Sequence, residues 1–196
     1  VRTFCMNPNG EVVQENYSGI ATVNGHSYAN YKTPNTNFAL LVSEKFTEPF
    51  KEPIQYGQHI ARLANMLAGG ILVQRFGDLL DGRRSTPERI KSSIITPTLT
   101  CATPGDLSLV IPYRQMTSII EMLKALDKIA PGTASRYTLL YGIEVKFYSA
   151  RVKLTNELET EGVKNLFTIG DGAGVTRGLL QASASGVYVA RTICER

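Results

Sequence analysis

The segment "NLFTIGDGAGVTRGLL", Asn165–Leu180, joins an apolar run, a turn with three alternating glycines and the start of a helix, and only 16 residues follow it. Gly170, Gly172 and Gly174 resemble the opening of the dinucleotide fingerprint GxGxxG, but Val175 stands where the third glycine belongs. That fingerprint opens a β–α–β unit, with an acidic residue about 20 positions further on at the end of a second strand. The residues after Leu180 hold no second strand. No Gly-Lys-Ser/Thr follows the turn either, so it is not a phosphate-cradling P-loop. The expectation is a strand, turn and helix that complete a site whose other half is supplied elsewhere. The chain opens on Val1 rather than Met, in keeping with a piece of a longer protein.

With 196 residues, 43% hydrophobic and 19% charged, the chain is ordinary globular material, enough for one large domain or one domain and part of another. No apolar run approaches the ~18–20 residues of a membrane span, and no secretory signal opens the sequence. The net charge of +4 is mild. Its densest patch, "GRRSTPERIK" at 82–91, lacks aromatic residues and reads as a solvated loop rather than a nucleic-acid surface. Cys5, Cys101 and Cys194 are far apart, odd in number and without a CxxC, which fits a reducing cytoplasm and no zinc site. His26 and His59 are the only histidines, so no histidine-rich metal site is expected.

Strands are expected first. "RTFCM" and "EVVQE" flank the turn signal "NPNG"; "GIATV" is followed by the polar loop "NGHSYANYKTPNTN", and then by the apolar strand "FALLVSEKF". Ile60, Leu63, Ala64 and Leu67 share one helical face, ended by Gly69–Gly70. A short helix is expected at "VQRFGDLL". A second long helix starts near Pro112, with Met116, Ile119, Ile120, Leu123, Leu126 and Ile129 as its buried stripe and Pro131–Gly132 as its stop. "RYTLLYGIEVKFYSARVKL" reads as two strands, "NLFTI" as the last strand, and the last helix runs from about Gly178 to Cys194.

The turn and its flanks are similar to the closing motif of FAD-dependent oxidoreductases: a strand, Gly-Asp, small residues, then a helix facing the flavin. "RTFCMNPNGEVV", "TVNGHSY", "NTNFALLV", "QRFGDLLDGR", "LLYGIEVKFYSARV" and "FTIGDGAGVTRGLLQASASGVYVA" occur in this order. Together they resemble the C-terminal half of FAD-dependent dehydrogenases in the glutathione-reductase-like flavoprotein superfamily, over nearly the whole chain. The sequence departs from that pattern in several places. Asn7 and Asn9 replace a second Cys and a second Gly in the first motif, Asp171 stands where Glu is frequent, and Arg177–Gly178 replaces a Gly-Gly pair. A paired-cysteine redox role is therefore not carried over, and Cys5 reads as a buried apolar cysteine.

The resemblance implies FAD as cofactor, held by Gly170, Asp171, Gly172, Ala173, Gly174, Gly178 and Leu179. The Asp171 carboxylate would accept from a ribityl hydroxyl. The small residues would admit the cofactor, and the helix N-terminus, with about half a positive charge, would face the flavin N1–C2=O edge. On the residues alone, Asp171 also fits a helix N-cap in a plain strand-to-helix turn. The loop with Asn24, Gly25, His26 and Ser27 would face flavin or substrate by the same resemblance; the bare reading is an Asn-Gly turn. Glu144 and Arg151, in a stretch with Gly142 and Ser149, could hold a polar or acidic substrate; the alternative is a cross-strand ion pair.

The fold class expected is α+β. Residues 1–160 would be an antiparallel or mixed sheet forming a substrate or cap domain, with helices inserted at about 52–131. Residues 161–196 would be the C-terminal strand, turn and helix of an FAD-binding domain whose N-terminal Rossmann part is absent from this chain. The implied activity is hydride transfer through flavin N5, with a small-molecule substrate, the missing N-terminal FAD-binding region and NAD(P)H as partners, and neither nucleic acid nor membrane. The competing reading is a stand-alone α+β ligand-binding or interaction module without catalysis.

Overall fold

The computed structural model describes residues 1–146 and 151–196. The chain divides into two compact units, Val1–Val145 and Lys146–Arg196. The architecture is α+β, with small antiparallel and mixed sheets and five α-helices among the described residues.

The first unit opens with β1 (Arg2–Asn7), β2 (Glu11–Tyr17), β3 (Ile20–His26) and β4 (Asn37–Leu41). β2 and β3 form a hairpin in unbroken antiparallel register from Glu11↔His26 to Tyr17↔Ile20. Its two-residue loop, Ser18–Gly19, has positive φ at both positions (49° and 79°), the backbone that matches the natural twist of a hairpin. The expected "NPNG" turn does join β1 to β2, but those strands do not pair, because β1 pairs with β4. The turn is closed instead by a distant segment: Thr33 N–H donates to Asn9 O at 3.0 Å, and Asn9 Nδ2 to Thr33 O at 3.0 Å.

Next come α1 (Pro53–Ala68), β5 (Leu72–Arg75), α2 (Phe76–Leu80) and α3 (Pro87–Lys91). After them lie β6 (Thr103–Pro104), a 3₁₀ turn at Leu107–Leu109, α4 (Tyr113–Leu126) and β7 (Leu139–Gly142). β5 is the centre of a three-stranded sheet, parallel to β6 and antiparallel to β7. The first three residues of the expected "VQRFGDLL" helix, Val73–Arg75, are therefore strand. Leu72 and Val73 have sheet partners on both sides, Gln74 pairs with β7, and all three are fully buried; an enclosed ladder outweighs local helix preference.

The main core joins Ala64, Leu72, Phe76, Leu79, Leu107, Val110, Met116 and Leu123. α1 ends at Gly69 in the left-handed conformation (φ 67°), as the glycine pair predicts. Its buried face holds Ala61 and Ala64, with Ile60 and Leu63 packed at its side, whereas Leu67 is 44% exposed. α4 stops at Leu126, leaving Ile129 81% exposed, because Asp127 Oδ1 takes the N–H groups of Gly132 and Ala134 (each 2.9 Å) and turns the chain.

In the second unit the expected strand "NLFTI" reduces to one bridge, Phe167 opposite Glu159, beside a second between Leu154 and Thr160. Leu158 and Asn165 have positive φ (61° and 60°), which breaks the extended backbone at both ends of this ladder. A 3₁₀ turn at Asp171–Ala173 leads to α5 (Leu179–Cys194). Of the strand pair expected in "RYTLLYGIEVKFYSARVKL", β7 is present, and Ser149 lies outside the described residues. Cys5 is exposed, not buried, since β1 is an outer strand with a single partner.

Candidate functional site

The glycine turn of the second unit is built around Asp171. Gly170 (φ 72°, ψ −165°) and Gly178 (φ 139°, ψ 158°) occupy conformations that side chains resist, so the loop between them doubles back where other residues would be strained. Asp171 Oδ1 spans that loop, accepting Thr176 Oγ1–H at 2.5 Å and Gly178 N–H at 3.3 Å. The start is anchored by Gly170 N–H to Ser185 Oγ (3.0 Å), one and a half turns into α5. Ala173 and Thr176 are buried beneath the turn, and Gly174 closes it in the left-handed region.

The outer surface of this turn is open. Asp171, Gly172, Gly178 and Leu179 are exposed, Leu179 to 90%. A Cβ added at Gly172 or Gly178 would meet nothing within 4 Å. No side chain caps α5 at Gly178, which leaves its first-turn N–H groups without an N-cap acceptor. Asp171 is thus not the N-cap of α5; it braces the preceding loop, and a carboxylate has further lone-pair sites for a hydroxyl partner.

In the first unit, Asn24, Gly25 and His26 are not in a loop but form the end of β3, because the hairpin continues to the Glu11↔His26 pair. Side chains alternate along strands, so Glu11 and Glu15 share one face of β2 and lie beside Asn24 and His26 of β3. Glu15, which the sequence reading passes over, gathers them. Its Oε1 accepts Asn24 Nδ2–H at 2.9 Å and lies 3.8 Å from His26 Nε2. Gly25 is a close approach: a Cβ there would stand 2.0 Å from Asn37 Oδ1. Ser27 Oγ–H donates to Pro8 O at 2.7 Å, pinning the next loop rather than presenting a nucleophile.

The basic patch at 82–91 is not a freely solvated loop. Asp78, 1% exposed in α2, accepts Arg83 Nε–H at 3.0 Å on Oδ1 and Ser85 Oγ–H at 2.8 Å on Oδ2, with Arg89 Nε 4.0 Å away. Thr86 caps α3 through Arg89 N–H. Nearby, Asp81 Oδ2 receives Arg136 Nη2 at 2.5 Å and Arg83 Nη2 at 3.1 Å; the Arg136 bond leads in holding this carboxyl below its ordinary range. The sequence signal was the acid–base spacing inside "FGDLLDGRRS", legible only once Asp78 is known to face inward.

Glu144 is half-buried just after β7 in the first unit, and Arg151 lies in the second, so the two fall in different units. Among the described residues no group of His, Cys, Asp and Glu is arranged to hold a metal ion, and no helix is long and apolar enough to cross a membrane.

Residues 1–147 match the family model described as FAD-dependent protein, C-terminal domain-like. The chain belongs to this family. A relative described as an uncharacterised protein, from Clostridium beijerinckii, is 32% identical over 208 residues that take in 100% of this chain. The chain spans 38% of that relative's length. The matched FAD-dependent C-terminal domain coincides with the first unit plus two residues, so it contains the β2–β3 edge and the Asp78 cluster, while the glycine turn lies beyond it.

Proposed function

We propose that this chain is the C-terminal portion of an FAD-dependent oxidoreductase of the glutathione-reductase-like superfamily. The observation that carries the reading is the membership of residues 1–147 in a family of C-terminal domains of FAD-dependent proteins. The glycine turn supports it independently, because its residues fit the cofactor. An open backbone at Gly172 and Gly178 leaves room for close approach, Asp171 offers a carboxylate beside it, and α5 begins without a side-chain cap.

Bound FAD would supply hydride transfer through N5. The chain's own part is binding and electrostatics. Asp171 would accept a hydrogen bond from a cofactor hydroxyl, while Thr176 and Gly178 hold that carboxylate in place. The first turn of α5 would offer N–H groups and partial positive charge to the bound cofactor. The first unit is the substrate or cap domain, with Asn24, His26 and Glu15 as its polar face; Glu144 is a further candidate in that unit, and Arg151 a separate candidate in the second.

The test is purification of the protein that carries this chain at the length of its Clostridium relative, followed by absorbance and anaerobic reduction with NADH and NADPH. Visible flavin absorption that either nucleotide bleaches is the expected result. A colourless protein that does not take up FAD when titrated would return the chain to a binding module without redox chemistry.

A further inference from the structure

Beyond the hairpin edge, the loop that follows β3 folds back to form a niche with its own chemistry. A cavity of about 400 Å³ is lined by Glu11, Tyr28, Ala29, Asn30 and Tyr31. The rings of Tyr28 and Tyr31 stand 6.4 Å apart and 62° to one another, and the His26 ring stacks 6.0 Å from that of Tyr28. The Glu11 carboxylate lines the same niche as the Tyr28 ring. Loss of solvent, followed by the Glu11 charge, holds the Tyr28 phenol above its ordinary range.

The loop is fastened at both ends to the turn between β1 and β2. Ser27 Oγ donates to Pro8 O (2.7 Å), Thr33 Oγ1 to Gly10 O (2.5 Å), and Thr33 and Asn9 exchange two bonds of 3.0 Å. Between these anchors Lys32 Nζ is tied to Tyr28 O at 2.9 Å and does not line the cavity. Two exposed aromatic faces and a carboxylate are therefore set in position before any ligand arrives, which lowers the ordering cost of binding.

We infer that this niche is a binding site for an organic cation, an alkylated ammonium group seated against Tyr28 and Tyr31 with Glu11 as its counter-ion. Aromatic faces attract weakly hydrated cations through the ring quadrupole, and one carboxylate adjoining the rings supplies the opposite charge. Anionic ligands are disfavoured by Glu11, with Glu15 four residues along the same strand face. The inference concerns the first unit alone and stands or falls without the flavin reading.

The test uses the 196-residue chain and choline as probe, with 3,3-dimethyl-1-butanol as its neutral isostere. Heteronuclear NMR titration should give saturable shifts at residues 28–31, with the alcohol binding at least fivefold more weakly. Glu11→Gln and Tyr31→Ala should each weaken choline at least threefold, while Tyr31→Phe, which keeps the aromatic face, should bind within twofold of the parent. Thermal unfolding of each variant monitors the fold. Equal affinity for choline and the alcohol, no saturable binding, or choline affinity unchanged in both weakening variants would overturn the assignment.

Discussion

Arg83 Nε lies 3.0 Å from Oδ1 of Asp78, a carboxylate that is 1% exposed, while Arg83 itself is 49% exposed. The pair is unequal: the arginine can return to water, but the aspartate cannot. Removing Arg83 leaves a buried charge with one hydroxyl donor, Ser85, and with Arg89 at 4.0 Å. Arg83→Ala should therefore cost roughly 3 kcal/mol, the low end for breaking a buried pair, since Arg89 is near enough to take over part of the role. Arg84→Ala, in the same basic patch, should stay within about 0.5 kcal/mol, as for ordinary surface changes. Urea unfolding of both variants checks the contrast, and equal small effects would restore the solvated-loop reading of residues 82–91.

Asn65 closes β3 from outside the sheet. Its Oδ1 accepts Ala21 N–H at 2.8 Å, and its Nδ2 donates to Ala21 O at 2.9 Å and to Gly70 O at 3.0 Å. The amide thus does for Ala21 what a neighbouring strand would do. Asn65→Ala leaves a buried N–H and C=O without these partners, and the expected loss is on the order of 2–4 kcal/mol. Asn65→Asp keeps the acceptor for Ala21 N–H but turns a second acceptor toward two carbonyl oxygens, so it should rescue little of that loss. Denaturation of the two variants side by side gives the answer; recovery by Asp would show that the N–H of Ala21 alone matters.

The parts of the fold read correctly from sequence were those with local causes. α1, its glycine stop, α4, α5 and the strand content of the first 41 residues follow from periodicity and turn chemistry. What was missed depended on partners far away in sequence. The β1–β4 pairing, the strand at Leu72–Arg75 and the inward face of Asp78 are all set by tertiary packing, which leaves no local signature. Glu15 was missed for the same reason: its role is defined by Asn24 and His26 across a hairpin whose length the turn signals understated. The glycine turn was legible as a turn because positive φ at Gly170, Gly174 and Gly178 needs residues without a Cβ.

Tyr141 carries a hydroxyl that is buried without a hydrogen-bond partner among the described residues, and burial pushes its pKa to about 12. The folded state therefore favours the protonated phenol more than the unfolded chain does. The sign follows directly: the associated stability is fully present below pH 10, the ordinary value, and is lost as pH rises through about 12. Two pH units of difference correspond to a loss on the order of 2–3 kcal/mol across that window. Tyr141→Phe removes both the orphaned hydroxyl and the titration. It should be neutral to about 1 kcal/mol stabilising at pH 7 and should flatten the alkaline decline. Unfolding midpoints between pH 7 and 12 for parent and variant test this, and identical alkaline slopes would mean that the Tyr141 hydroxyl is solvated.

Asp171 braces its turn through one oxygen, which accepts from both Thr176 and Gly178, and under the proposed function the same carboxylate would also meet the cofactor. In the longer protein of the proposed function, Asp171→Ala would remove both. A charge-assisted hydrogen bond contributes ~1.5–3 kcal/mol, so FAD affinity should fall roughly tenfold to more than a hundredfold. Thr176→Val removes the brace but leaves the carboxylate, and should weaken FAD less than about fivefold while costing about 1 kcal/mol of apoprotein stability. Asp171→Asn keeps an acceptor without the charge and should fall between the parent and the Ala variant. The measurement is FAD titration of each apoprotein by flavin fluorescence, beside urea unfolding of the same apoproteins so that bound cofactor does not enter the stability comparison. If Thr176→Val and Asp171→Ala lose FAD affinity equally, the carboxylate acts only by shaping the turn. If neither variant loses affinity while Asp171→Ala is destabilised, the segment from Asn165 to Leu180 is a structural connection, and the cofactor reading must rest on the first unit.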